Sequence, residues 1–284
     1  IRWNYLLKHE KKGVSLFNRF AGNAVGFTVS LIFPGRIGEL VKPLYLAQKE
    51  DMKKGFVIGT VVVERIFDMF TMCILLGFFL VTKPLYSAII HIDEEAYASL
   101  YLWGKIGIAF TVFLIGLALS LYFFKEKTLS VISFFLKPFP EKISSRILEL
   151  CREFIDGLRF FHSVGNLLIY MLLSFVVWIG IIAFYWLFFF AYNVSVPFFY
   201  LFPYTFLVMV GASIPTPGMV GGYHYFSKLG LTTFYSVDVN LAVSMTIVIH
   251  AIQVVMTCLI GYVILWKEGI SMLQIKELGK GADR

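Results

Sequence analysis

The sequence predicts an all-α polytopic membrane protein, with four spanning helices and two re-entrant helical hairpins in an inverted repeat, and a cytoplasmic amphipathic helical segment. Three observations lead there. Of 284 residues, 58% are hydrophobic and 30 are Phe, and the mean hydropathy is +0.79, outside the range of soluble domains. The Lys and Arg behind the net charge of +7 sit in segments flanking apolar runs, as the positive-inside rule requires, which excludes the nucleic acid that such a charge suggests in a soluble protein. Two apolar runs too short to cross a bilayer each stop at a Pro/Gly break, FPGRIGE at 33–39 and PTPGMVGG at 215–222.

The whole chain, 1–284, reads as a single membrane domain. Residues 1–82 hold the first hairpin and a spanning helix, 83–192 the central helices, and 193–284 the second hairpin and the last span. Residues 1–18, with Arg2, Lys8, Lys11 and Lys12, read as a cytoplasmic flank whose cations meet anionic headgroups. The run 20–33 rises only about 21 Å at about 1.5 Å per residue, short of the roughly 30 Å hydrocarbon core, so it enters without crossing. Pro34 ends it, and Gly35 and Gly38 permit the backbone angles of a hairpin tip; irregular backbone at that depth is tolerated only where protein or a wet cavity covers it. The return arm contains Pro43 and ends in a second polar cluster at QKEDMKK.

Residues 55–81 are long enough for a tilted span, although ERIFD places Glu64, Arg65 and Asp68 inside it. The loop 83–105, with Asp93, Glu94 and Glu95, falls on the far side, and 103–124 returns. Residues 125–162 carry Lys125, Lys127, Lys137, Lys142, Arg146, Arg152 and Arg159 and alternate apolar and charged residues at helical spacing, predicting a cytoplasmic amphipathic helix pair on the membrane or the bundle. Residues 164–192 cross outward, and the uncharged NVSVP loop lies outside. The run 198–214 enters from that side and breaks at Pro215, Pro217, Gly218, Gly221 and Gly222. A short segment follows, and 239–266 is the last span, leaving Lys267, Lys276, Lys280 and Arg284 in the cytoplasm. Each end of the chain thus runs arm, break, short segment, long helix, from opposite sides, and paired breaks of this kind point to a binding site.

Arg36, Glu39, Lys42, Glu64, Arg65 and Asp68 sum to zero charge. Each costs about 2.5 to 3.5 kcal/mol at the bilayer centre, so they must be paired, hydrated or near an interface. Glu64 and Asp68 share a helix face and repel, whereas Glu64 and Arg65 point about 100° apart, so the face needs a cation from elsewhere. Arg36 and Lys42 are the nearest in sequence. One reading is a buried network that pins the hairpin to the bundle; the other adds a phosphate gripped bidentately by Arg36 beside backbone N–H groups. In the second half His224, His250 and Gln253 are the strong polar groups, either hydrogen-bonded within the core or able to titrate or donate to a headgroup. Two His without a third ligand do not make a metal site, and Cys73, Cys151 and Cys258 are too scattered for a disulfide framework or zinc. Neither a metal nor a cofactor is expected, and nucleotide-loop, nucleophile-elbow and zinc-protease motifs are absent.

Together PGRIGELVKP, VVVERIFD about 30 residues on, PTPGMVGG and the IHAIQ of the last helix resemble the lysylphosphatidylglycerol synthase transmembrane region, a flippase-like family, over essentially the whole chain. The resemblance implies an inner-membrane protein that moves a phospholipid or other lipid headgroup, with membrane lipids and a lipid-modifying enzyme as partners. It puts the family's PGRxGE on Arg36 and Glu39 and its ERxxD on Glu64, Arg65 and Asp68. Where many members carry a Glu after the second break and an Arg on the last helix, this chain has His224 and His250. IRW at 1–3 resembles the end of a helix pair, so two preceding helices are expected; no soluble transferase domain is expected beyond the last span, so the resemblance does not imply synthase activity. Two alternatives stand beside lipid transport. One is a membrane enzyme or enzyme subunit acting on a lipid phosphate, with Glu64, Asp68 or His250 as acid or base. The other is a scaffold for a partner synthase.

Overall fold

A computed structural model describes residues 1–82, 94–158 and 164–269. Among them the regular structure is all helical: α1 (Arg2–Leu7), α2 (Leu16–Ile32), α3 (Gly38–Glu50), α4 (Lys54–Val81), α5 (Glu94–Phe123), α6 (Lys125–Leu136), α7 (Glu141–Gly157), α8 (Val164–Ala191), α9 (Leu201–Ser213), α10 (Gly222–Tyr235) and α11 (Val239–Lys267). Single 3-10 turns occupy Pro34–Arg36, Phe198–Tyr200 and Pro217–Met219. Asp93, Arg159, His162, Lys276, Lys280 and Arg284, on which parts of the topology were read, lie outside the described residues.

Three stretches are long and apolar enough to cross a membrane: Tyr97–Phe123, Gly165–Ala191 and Val239–Lys267. Their large apolar side chains, such as Phe113, Leu172, Leu187 and Tyr262, point outward rather than into the protein, as lipid-facing residues do. The fourth expected span corresponds to α4, whose 28 residues rise about 42 Å. It differs from the other three in being sheathed by protein, with α1, α3 and α7 against its first half and α5, α8 and α9 further along. The close approach of α7 depends on missing side chains. A Cβ on Gly55 would lie 2.5 Å from the Leu150 carbonyl oxygen, and one on Gly59 2.5 Å from that of Phe154. Glu153 then accepts a hydrogen bond from the Gly55 N–H at 2.9 Å, satisfying a free donor in the first turn of α4 where a carboxylate is favoured. The amphipathic pair therefore buttresses the bundle through α7.

Residues 1–18 are not the surface flank expected from their charge. Trp3, Leu6 and Leu7 of α1 are buried against α4 and α8, and Val14 joins the same cluster. Amphipathicity explains the difference: α1 turns its indole and leucines inward and carries Arg2 with them.

The two hairpins are built alike. In the first, α2 is longer than the apolar run, beginning after a Ser15 cap, yet its 17 residues rise about 25 Å and still fall short of the roughly 30 Å core. Its arms pack glycine on glycine: a Cβ on Gly38 would collide with the Gly26 carbonyl oxygen and Ser30, and one on Gly26 would lie 2.6 Å from Lys42 Cβ. Between them Gly35 (φ 77°) and Arg36 (φ 53°) turn the chain in the left-handed region. In the second hairpin Gly211 and Gly222 meet in the same way, and Gly218 (φ 60°) and Met219 (φ 58°) make the turn. Met219 thus occupies the position of Arg36.

The tips meet. A Cβ on Gly218 would sit 3.4 Å from the Leu31 carbonyl oxygen, and contact between the hairpins is concentrated at the tips and the end of α2 while the arms diverge. Each long helix lies on the first arm of the opposite hairpin. Helix α11 packs on α2, where Gly261 faces Thr28 and the Thr28 hydroxyl donates to the Thr257 carbonyl at 3.0 Å; α4 packs on α9, with Phe78 and Phe202 rings 6.3 Å apart. At both ends of the described chain the order is thus arm, turn, second arm and long helix, with each long helix packed on the other hairpin's first arm.

Candidate functional site: two polar clusters flanking the hairpin tips

Helix α4 carries Glu64, Arg65 and Asp68 into the interior, where Glu64 and Asp68 are 4% and 7% exposed. At that burial an uncompensated carboxylate would cost several kcal/mol, so cations must be found nearby. Three supply them. The Lys42 ammonium donates to Glu64 Oε1 at 2.7 Å and lies 4.6 Å from the Trp3 ring centroid. The Arg65 guanidinium wraps back to Glu64 Oε1 at 2.6 Å, approaches Asp68 Oδ2 at 3.4 Å, and has its Nε 3.8 Å from Glu39. Arg2 closes the group, donating to Asp68, approaching Glu64 at 3.3 Å and reaching the Ser174 hydroxyl at 3.3 Å. The Trp178 indole N–H donates to Asp68 Oδ1 at 3.1 Å. Three cations and three carboxylates, drawn from α1, α3 and α4 and steadied by α8, therefore balance.

The partner expected for the carboxylates is corrected here. Arg36 does not meet Glu64 or Asp68; Arg2 takes that place, from 66 residues before Asp68. The separation of about 100° between Glu64 and Arg65 did not keep them apart, because the long Arg65 side chain spans it. Arg2, Trp178 and Ser174 were missed. The only sequence signal for Arg2 was the excess of carboxylate on one face of α4.

Arg36 instead sits on the first tip, half-buried. Among the described residues it forms no ion pair and no hydrogen bond, and its Nε is buried without a partner. Pro34 and Gly35 beside it are exposed, Gly38 is the buried crossing point of the arms, and Glu39 points toward Arg65.

Beyond the tips lies the second cluster. His250 stacks on Tyr223 with centroids 4.4 Å apart, meets His224 edge-on at 4.7 Å, and reaches the backbone of Gly218. Gln253 donates to the Tyr185 hydroxyl at 3.2 Å, which lies 3.5 Å from that of Tyr223. A hydroxyl chain, Tyr204 to Ser227 at 2.9 Å and Ser227 to Thr246 at 2.8 Å, ties α9, α10 and α11 together beneath it. Of the tip residues, Gly218 and Gly221 turn the chain with positive φ, Pro217 opens its 3-10 segment, Gly222 is the arm contact, and Pro215 lies in the non-helical stretch before the turn. The structure thus brings His224, His250 and Gln253 together in one cluster, and Arg36, Glu39, Lys42, Glu64, Arg65 and Asp68 around the other hairpin. Among the described residues no three His, Cys, Asp or Glu side chains converge as a metal set.

A family model described as the lysylphosphatidylglycerol synthase TM region matches residues 1–261. Neither a curated protein nor a solved structure matches the chain.

Proposed function

Because the chain belongs to the family of the lysylphosphatidylglycerol synthase TM region, whose membership makes it a multi-pass membrane protein linked to lipid metabolism or flipping, we propose that it carries a phosphate-bearing lipid headgroup across the cytoplasmic membrane through the junction of its two hairpin tips. One observation carries the reading. Arg2, Lys42 and Arg65 each form ion pairs with Glu64 or Asp68, whereas the Arg36 guanidinium, at the tip junction with Glu39 as its neighbouring carboxylate, has a buried Nε and forms no ion pair or hydrogen bond among the described residues. A planar fork with free donors suits a phosphate. In this reading α4, α5, α8 and α11 span the membrane and the hairpins enter it from opposite faces. Helices α6 and α7 and the C-terminus are cytoplasmic, and a lipid-modifying enzyme supplies the substrate. Glu64 holds the first hairpin to α4 through Lys42 and Asp68 holds α1 there through Arg2, and because each is occupied by cationic donors they are poor general bases, which disfavours catalysis on the lipid.

The test is reconstitution into vesicles containing fluorescent phosphatidylglycerol, with an impermeant quencher outside. The protein is expected to expose inner-leaflet lipid faster than protein-free vesicles do. Arg36→Ala should slow this about tenfold or more, the loss of one or two charge-assisted hydrogen bonds, and Arg36→Lys should restore part of it. No flipping of any phosphate-bearing lipid, or an unchanged rate in Arg36→Ala, overturns the proposal.

A further inference from the structure

We propose that the groove between α10 and α11 is a binding site for the anionic headgroup of a membrane phospholipid, held by Lys228. The site is separate from the Arg36 tip, and it stands whether or not the protein moves lipid.

Each of the two helices turns one face to this groove. From α10 come His224, Tyr225 and Lys228, and from α11 Val243, Thr246 and Ile247, spacings of three and four residues that stack side chains along one side of a helix. The space they line is open and measures about 240 Å³, the scale of a headgroup rather than of a whole lipid. Its walls are apolar at Val243 and Ile247, both exposed. Its polar atoms are few. The Thr246 hydroxyl is already engaged, sharing a hydrogen bond with Ser227 at 2.8 Å. By contrast, half-buried Lys228 and the Tyr225 hydroxyl have neither a hydrogen bond nor an ion pair among the described residues. His224 Nδ1, at the end nearest the second tip, is buried without a hydrogen-bond partner.

An unpaired ammonium is common at an aqueous surface, but α11 is one of the three candidate spans, and Thr246 lies about 10 Å along it from Val239. A cation at such depth is costly unless an anion meets it. The two helices do not supply one. The carboxylates at their ends are Asp238 and Glu268. Asp238 caps α11, accepting from the Asn240 and Leu241 N–H groups at 2.9 and 3.2 Å, and Glu268, at the far end, pairs with Lys49. Helices α2, α8 and α9 carry no carboxylate. The shape of the groove then selects the anion. Apolar walls that open sideways do not replace the water around a free ion, but they suit a headgroup that brings its own hydrocarbon. Beyond the groove the exposed Val248, Ile252 and Val255 continue an apolar track along α11 for the chains. In the occupied groove the Lys228 ammonium donates to a phosphate oxygen, and the Tyr225 hydroxyl, one turn away on the same side of α10, is placed to donate a second bond.

The experiment reads occupancy beside the groove. A fluorophore is attached at Ala251→Cys, exposed and one turn beyond Ile247, in protein whose Cys73, Cys151 and Cys258 are replaced by Ala. The protein is placed in phosphatidylcholine vesicles, and lipid with brominated chains, either phosphatidylglycerol or phosphatidylcholine, is added as quencher. Phosphatidylglycerol is expected to quench as though bound about fivefold more tightly than phosphatidylcholine, the gain from one Lys beside an anionic headgroup. At Leu172→Cys, exposed on α8, the two lipids should quench alike. Lys228→Gln should bring the preference at Ala251→Cys to about one, and Lys228→Arg should keep it. Should the Gln variant not fold, Lys228→Met gives the same reading. Equal quenching by the two lipids in the unsubstituted groove, whether protein covers it or it takes any lipid, overturns the proposal, as does a preference that survives the loss of the Lys228 charge. Relief of the quenching by millimolar inorganic phosphate, beyond that of chloride at equal ionic strength, would assign the site to a free ion and overturn it as well. The assay follows no movement of lipid, so its outcome and that of the transport test are independent.

Discussion

Glu64→Gln is the most informative perturbation of the charged network. Glu64 is 4% exposed and takes Lys42 at 2.7 Å, Arg65 at 2.6 Å and Arg2 at 3.3 Å. Removing its charge leaves three cations facing Asp68 and the more distant Glu39. Lys42, itself 3% exposed, keeps the Trp3 ring face and the more distant Glu39. Breaking a buried pair by removing one partner costs about 3 to 5 kcal/mol, and the excess of one positive charge left among three cations and two carboxylates belongs to that case. At about 2 °C per kcal/mol for a chain of this size, the melting temperature in detergent should fall by roughly 6 to 10 °C. Lys42→Met should cost less, about 1 to 3 kcal/mol, because Glu64 retains two guanidinium partners. The double variant removes one charge of each sign, and its cost should fall short of the sum by about 2 kcal/mol. Coupling below about 0.5 kcal/mol, or a Lys42→Met variant less stable than Glu64→Gln, would refute the assigned pairing. An Arg36 and Asp68 cycle should show coupling near zero.

Further outcomes test other parts of the structure. Gly38→Ala should open the first hairpin and destabilise by about 1 to 3 kcal/mol or more, since its Cβ meets backbone that cannot yield, whereas Gly77→Ala, where a Cβ meets nothing within 4 Å, should be neutral; thermal melts of both check this. Gly222→Ala should mimic Gly38→Ala, being its counterpart in the second hairpin, and an unchanged melt would deny the repeat. Burial would raise the Glu50 carboxyl, but hydrogen bonds from Asn18 and the Ser15 N–H, with the Lys11 ammonium, hold it below the ordinary carboxylate range. Its contribution to stability is therefore complete above that range and lost as pH falls through the depressed value, so Glu50→Gln should flatten the acid limb of a stability-against-pH curve. Cysteine substituted at Arg146 should react with an impermeant reagent only from the cytoplasmic face; labelling from outside would reverse the assigned topology.

Much of the architecture is legible in the chain because its causes are local. The rise per residue against the thickness of hydrocarbon separates the 27- to 29-residue candidate spans from the 17- and 13-residue arms that open the hairpins. Pro34, Gly35, Pro217 and Gly218 announce the two turns, since only such residues fit them cheaply. The alternation of charge and apolar residues in α6 and α7 is likewise a local pattern, as is the family resemblance carried by Arg36, Glu39, Glu64, Arg65 and Asp68.

What tertiary structure alone decided is who meets whom. The sequence required a cation for Glu64 and Asp68 because buried carboxylates are costly unpaired, but that cost is indifferent to the origin of the partner. Nearness in sequence favoured Arg36. Folding chose Arg2, because the buried leucines and Trp3 of α1 seat it against α4, and so left the Arg36 Nε at the tip without a hydrogen-bond partner. The indole of Trp178, 110 residues from Asp68, and the stacking of His250 on Tyr223 arise in the same way. Local pattern fixes which groups need partners, and the packing of distant helices decides which partners they receive.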